Sequence, residues 1–177
     1  VARTIHYDLA KANASAWQWW TAVSKEDYKD GLIYTDYVLP GDDETIYESK
    51  TLWALGNYSK FIRPGATRVE LTGLQDNEPY NLMGSAYINE TTDKVTSVYV
   101  NYSKEDQPIT VQFNDLPNNG VVYHLTPYIT NEDMDLAQQN MITADGDGLF
   151  HYTIPARSIV TLDGGYAEGD HVPAQPQ

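Results

Sequence analysis

Val95-Thr96-Ser97-Val98-Tyr99-Val100-Asn101-Tyr102 is the stretch that decides the fold. β-branched and aromatic side chains recur along it with the two-residue period of an extended chain, and such side chains suit a pleated surface. Working outward, similar short runs occupy residues 67–72, 82–89, 109–114, 121–128, 150–154 and 158–162. Asn, Asp, Gly and Pro separate them, as turns require. The expectation is a mainly β protein, an antiparallel β-sandwich over residues 65–164. Residues 131–140, between two of these runs, read as a weak helix or a long loop. Residues 165–177 are Gly, Pro, Gln and acid, and read as a tail or linker.

The chain before Gly65 is different in kind. Ala2, Ile5, Leu9 and Ala12 recur at helical spacing, with Arg3, His6, Asp8 and Lys11 between them. The chain opens inside this helix, so an upstream segment is expected. The aromatic run Ala16-Trp17-Gln18-Trp19-Trp20-Thr21-Ala22-Val23 has too few polar positions for a half-exposed strand. Burial on both faces, the habit of a parallel strand covered by helices, is the expectation. A short strand is expected at Leu32-Ile33-Tyr34 and a turn at Pro40-Gly41. A second helix is expected over residues 44–62, with Ile46, Leu52, Leu55, Ser59 and Ile62 as its apolar stripe and Arg63-Pro64-Gly65 as its stop.

Composition excludes several functions. A formal net charge of −14 leaves too few cations to neutralise a run of phosphates, so neither nucleic acid nor an anionic membrane surface is an expected partner. No stretch is apolar enough to span a bilayer. With no cysteine there is no thiol chemistry, disulfide or zinc–thiolate site. His6, His124, His151 and His171 lack metal-ligand spacing. Asp145-Gly146-Asp147-Gly148 lacks the further oxygen ligands of a calcium loop and reads as a turn. No metal or other cofactor is expected. Asn13, Asn57, Asn89 and Asn101 each open an Asn-X-Ser/Thr sequon, the first two in segments expected to be partly buried.

Three stretches in order are similar to glycoside hydrolase family 30. Ala16-Trp17-Gln18-Trp19-Trp20 resembles the last strand of that family's (β/α)8 barrel. Trp53-Ala54-Leu55-Gly56-Asn57-Tyr58-Ser59-Lys60-Phe61-Ile62-Arg63-Pro64-Gly65 resembles the last barrel helix and its exit. Pro155-Ala156-Arg157-Ser158-Ile159-Val160-Thr161-Leu162 resembles the final strand of the β side domain. The resemblance implies that residues 1–64 are the closing helix–strand–helix of a barrel. It further implies a secreted retaining glycosidase with two glutamates at strand ends, both upstream of Val1. No catalytic residue is therefore assigned here, and the chain alone is expected to be inactive.

Within this chain Trp19 and Trp20 are the candidate sugar-binding residues. Indoles at the C-terminal end of a barrel strand can stack on a pyranose. Neighbours on a strand face opposite ways, so one of the two points into the pocket. Gln18 is a candidate hydrogen-bonding partner for a sugar hydroxyl. Barrel packing is the competing reading for both tryptophans. Glucuronoxylan-cleaving members carry an arginine just after this strand, where Val23-Ser24-Lys25 stands here. That departure favours a neutral polysaccharide, and Trp17–Trp20 look nearest to the β-1,6-galactanase and β-1,6-glucanase branches. The expected partners are the glycan and the barrel portion, or another chain, that pairs with residues 16–23. An alternative is a non-catalytic carbohydrate-binding or structural module, using Tyr80, Tyr87, Tyr99 and Tyr102 if it binds sugar.

Overall fold

The computed structural model describes residues 1–26, 28–36, 45–75 and 80–169. The expected turn at Pro40-Gly41, the expected helix start at Glu44 and residues 170–177 lie outside them. Helix α1 (Ala2–His6) continues as a π-helical turn over Tyr7–Lys11. Three short strands follow, β1 (Val23–Ser24), β2 (Ile33–Thr35) and β3 (Ile46–Glu48), and then helix α2 (Lys50–Ser59). The remaining strands are β4 (Thr67–Val69), β5 (Met83–Asn89), β6 (Lys94–Asn101), β7 (Gln107–Val111), β8 (Gly120–Thr130), β9 (Ala137–Gln138), β10 (Ile142–Thr143), β11 (Phe150–Ile154) and β12 (Ser158–Glu168).

The mainly β sandwich is as the sequence predicts. Its larger sheet has seven strands, ordered β10-β8-β12-β6-β5-β4 with β9 also on β8, and its smaller sheet is β11-β7. Residues 95–101 of the stretch 95–102 lie at its centre and are buried on both faces, whereas Tyr102 is exposed. Val95 and Tyr99 point into the core between the two sheets, with Leu125, Phe150, Ile154, Val160 and Leu162. Val98 and Val100 point the other way, into a second core with Ala2, Ile5, Ala54, Tyr58, Met83 and Ile159. The helices are therefore a third layer. The run is apolar on both faces because two layers cover it.

One polar cluster locks that third layer down. Asn57, fully buried on α2, donates from Nδ2 to the Trp53 carbonyl (2.9 Å) and to Thr130 Oγ1 on β8 (2.6 Å). Thr161 on β12 sets its hydroxyl 2.7 Å from the Asn57 carbonyl and 3.0 Å from Oδ1. A buried amide without such partners would be costly, so the spacing of Asn57 against two threonines 73 and 104 residues away fixes where the helix sits.

Helix α2 is shorter than its apolar pattern suggests. Ser49 caps it, accepting from Leu52 N–H at 3.3 Å and donating to the Gly31 carbonyl at 3.0 Å. Ile46 therefore belongs to β3 and is exposed rather than part of the helical stripe. Arg63 closes the other end by donating to the Ser59 carbonyl at 2.8 Å. The run 131–140 is a loop that contains β9, and β12 extends through Gly165 to Glu168, so residues 165–168, expected in the tail, are strand. Of the sequons, Asn57, Asn89 and Asn101 are buried, whereas Asn13 is exposed, contrary to expectation.

Asp163 on β12 is the carboxylate the sheet buries most consequentially. Burial pushes its carboxyl above the usual range, against the pull of Lys94 and the Thr96 hydroxyl. The native state then holds its proton more tightly than the unfolded chain, so this group's contribution falls as pH rises from about 4. Asp163→Asn keeps an acceptor for Thr96, and the variant is expected to melt higher than wild type at pH 7, with the gap closing as pH falls toward 4. Asn57→Ala, which removes the side-chain hydrogen bonds to Thr130 and Thr161 but keeps the carbonyl that Thr161 also reaches, is expected to cost about 2 kcal/mol in urea denaturation.

Candidate functional site

The aromatic segment is not the doubly buried strand its sequence suggests. Residues 16–20 form no strand and have no backbone ladder partner among the described residues, and Ala16, Gln18 and Trp20 are exposed. Pairing starts only at Thr21, whose N–H donates to the Asp30 carbonyl (3.2 Å) and whose carbonyl accepts from Leu32 N–H (3.1 Å). β1 then runs parallel to β2, and β3 closes this small sheet. The physical reason is plain: a parallel strand is buried only where strands and helices flank it, and the described residues supply a partner on one edge alone.

Its tryptophans nevertheless have distinct environments. Trp17 packs against the helix-side core and donates from Nε1 to Asp8 Oδ2 at 2.8 Å. Trp19 stacks on Trp17, with ring centroids 5.8 Å apart and planes 21° apart, and donates to the Asp30 carbonyl at 2.6 Å. Both indole N–H groups are used, and both rings are half-buried. Trp20 is 84% exposed. Of the predicted sugar-binding residues, Trp19 is thus engaged with its own chain, while Gln18 and Trp20 face solvent.

The four tyrosines of the alternative reading divide. Tyr87 and Tyr99 are buried, and that burial raises both phenols well above their usual range. Tyr80 and Tyr102 face outward and stack on each other at 5.6 Å. The guanidinium of Arg3 lies 4.8 Å, and that of Arg157 4.7 Å, from the Tyr102 ring centre. Residues this far apart in the chain carry no joint signal in the sequence, which is why reading it missed the cluster. Asp145 is the pivot of a turn: Oδ1 accepts from Asp147 and Leu149 N–H at 2.9 Å each, and Oδ2 meets His151 Nε2 at 3.0 Å. Those bonds hold its carboxyl below the usual range, the Leu149 amide contributing most. Among the described residues no group of three or more His, Asp or Glu side chains is arranged to hold a metal.

The described residues thus form a two-sheet β domain with helices packed on one face of its larger sheet. Residues 1–34 match the family described as O-Glycosyl hydrolase family 30, and residues 65–162 match the Glycosyl hydrolase family 30 beta sandwich domain. The chain belongs to glycosyl hydrolase family 30. It is 27% identical over 162 residues to the glucuronoxylanase XynC of Bacillus subtilis strain 168, covering 92% of this chain and 33% of that protein. It superposes on a family 30 endoxylanase from Clostridium papyrosolvens C71 with a TM-score of 0.70 and 27% identity, covering 93% of this chain and 36% of that one. The subfamily 8 xylanase Xyn30A of Clostridium acetobutylicum, at 23% identity, 0.70 and coverage of 93% and 37%, shares the fold. The chain spans about a third of the length of the curated relatives it matches. These relatives are named for xylan, and the β-1,6-galactanase and β-1,6-glucanase branches expected from Trp17–Trp20 find no support among them.

The two environments separate packing from contact. Trp17→Ala is expected to destabilise the chain by about 2 kcal/mol, losing a half-buried ring and a hydrogen bond to a carboxylate. Trp20→Ala is expected to leave the urea midpoint unchanged.

Proposed function

We propose that this chain is the C-terminal portion of a secreted, retaining glycosidase that cleaves the neutral backbone of xylan. Its catalytic glutamates lie in sequence upstream of Val1. The observation that carries the reading is the split among the tryptophans. Trp17 and Trp19 use their N–H groups within the chain, whereas Trp20 is 84% exposed, which leaves its indole free to stack on a sugar in the whole enzyme. The xylan assignment rests on the named relatives and replaces β-1,6-galactan or β-1,6-glucan as the expected substrate. The residues that follow the tryptophans, Val23-Ser24-Lys25, supply no arginine, which supports cleavage that does not require a uronate side group at that position.

The role of Gln18 in this reading is to meet a sugar hydroxyl from its exposed position. The sandwich serves as the support that α2 fastens.

The test is hydrolysis by the whole protein of uronate-free xylan, glucuronoxylan, β-1,6-galactan and β-1,6-glucan, beside Trp20→Ala. The expected result is release of xylo-oligosaccharides from both xylans, and a drop in kcat/KM of roughly 30-fold in the variant, equivalent to about 2 kcal/mol. Cleavage confined to the β-1,6-linked glycans, or full activity in Trp20→Ala, would overturn it. Measured hydrolysis by the 177-residue chain alone would place the catalytic carboxylates within it and sink the proposal.

A further inference from the structure

We propose that Asn119 is a site of self-modification: the Gly120 backbone nitrogen attacks its side-chain amide, ammonia is lost, and the isoaspartate formed loosens the end of the sheet where β8 begins and β12 ends. Asn119-Gly120 is the one Asn-Gly pair in the sequence. It closes a 3-10 helical turn over Pro117–Asn119 and opens β8, where Gly120 pairs with Glu168 at the last position of the β8–β12 ladder. Asn119 is exposed. The residues that frame it, from Asp93 to Gly169, all belong to the sandwich.

The fold itself calls for this pair. Asn118 and Asn119 are consecutive left-handed residues, with φ 56° and 53°. Asparagine and glycine are the residues that enter that region most readily. A Cβ on Gly120 would stand 2.5 Å from Tyr166 Cδ2 and 3.0 Å from the Pro117 carbonyl oxygen. The Tyr166 ring cannot step aside, because it is buried in the core between the two sheets. Position 120 is therefore held to glycine. Packing thus builds the dipeptide in which no side chain shields the attacking nitrogen.

The Gly120 N–H donates to the Pro117 carbonyl, the bond that closes the turn. When this bond opens and the amide gives its proton to hydroxide, the nitrogen attacks Asn119 Cγ. The Cγ–Nδ2 bond breaks, ammonia leaves with a proton taken from water, and a five-membered imide remains. Water then opens the imide. Opening at the α-carbonyl routes the main chain through Cβ as isoaspartate, and opening at the other carbonyl gives aspartate. Isoaspartate adds one main-chain atom ahead of β8 and a carboxylate beside the position that pairs with Glu168, in a chain of net charge −14. Like charges facing each other across paired strands are destabilising. The pairs Gly120–Glu168 and Val121–Ala167 then fray, and the fraying stops at the next pair, Val122–Tyr166, which the core holds.

The test is ageing of the whole enzyme in warm buffer, neutral and mildly alkaline, beside Asn119→Gly and Asn118→Gly. Glycine takes the left-handed backbone at either position, so both variants are expected to fold. Peptide mass mapping of wild type should show a gain of about 1 Da at Asn119, one NH replaced by O, appearing faster in alkali. An isoaspartate methyltransferase should label wild type and Asn118→Gly alike and leave Asn119→Gly unlabelled. In the aged protein, hydrogen exchange at residues 120–121 and 167–168 is expected to quicken by roughly tenfold while Leu125 keeps its protection. An unchanged mass in the folded protein, under conditions that modify the urea-unfolded chain, would overturn the proposal. So would label that persists in Asn119→Gly, or unaltered exchange in fully modified protein. None of these readouts depends on which glycan the enzyme cleaves.

Discussion

The structure hangs on a buried amide. Asn57 satisfies its donor and acceptor between two strands, and in doing so it sets α2 against the middle of the seven-stranded sheet. The sheet needs that cover. β6 carries valines on both faces, and an uncovered face would leave Val98 and Val100 in water beside Met83 and Ile159. Apolar packing alone would tolerate sliding of the helix along its own axis, because hydrophobic contact is not directional. Two short hydrogen bonds to threonines on different strands do not tolerate it.

From that anchor the positioning of the tryptophans follows through a chain of bonded neighbours. The first turn of α2 is capped by Ser49, and the Ser49 hydroxyl reaches the Gly31 carbonyl while its N–H reaches the Leu32 carbonyl. The preceding residue, Asp30, accepts from both the Thr21 amide and the Trp19 indole. The sandwich thus bears on residues 19–21 through contacts every one of which is polar and short. A domain with no catalytic residue of its own can still matter to catalysis in this way, since small misplacements of a substrate-positioning group are expensive.

How much of this could be read in the sequence depends on how local each feature is. The strands were legible because period-two runs and turn residues are local signals, and 150–154 matches β11 at both ends. The start of α2 was not, because Ile46 sits close ahead of the helical run Leu52, Leu55, Ser59 and Ile62, and only the cap at Ser49 shows where the backbone turns. Double burial was read correctly as a property of an apolar run but assigned to the wrong one. Residues 95–100 have both layers within this chain; residues 16–20 do not. Trp20 was legible as a candidate and Trp17 as part of the segment. The Trp17–Asp8 bond was not, since it depends on how a π turn aims residue 8.

Net charge is the property most easily over-read in a chain like this one. A total of −14 does repel extended polyanions, because they must meet many charges at once. It says little about a single carboxylate. At physiological ionic strength charges beyond about 8 Å are largely screened. Global composition governs approach and solubility; local geometry governs contact.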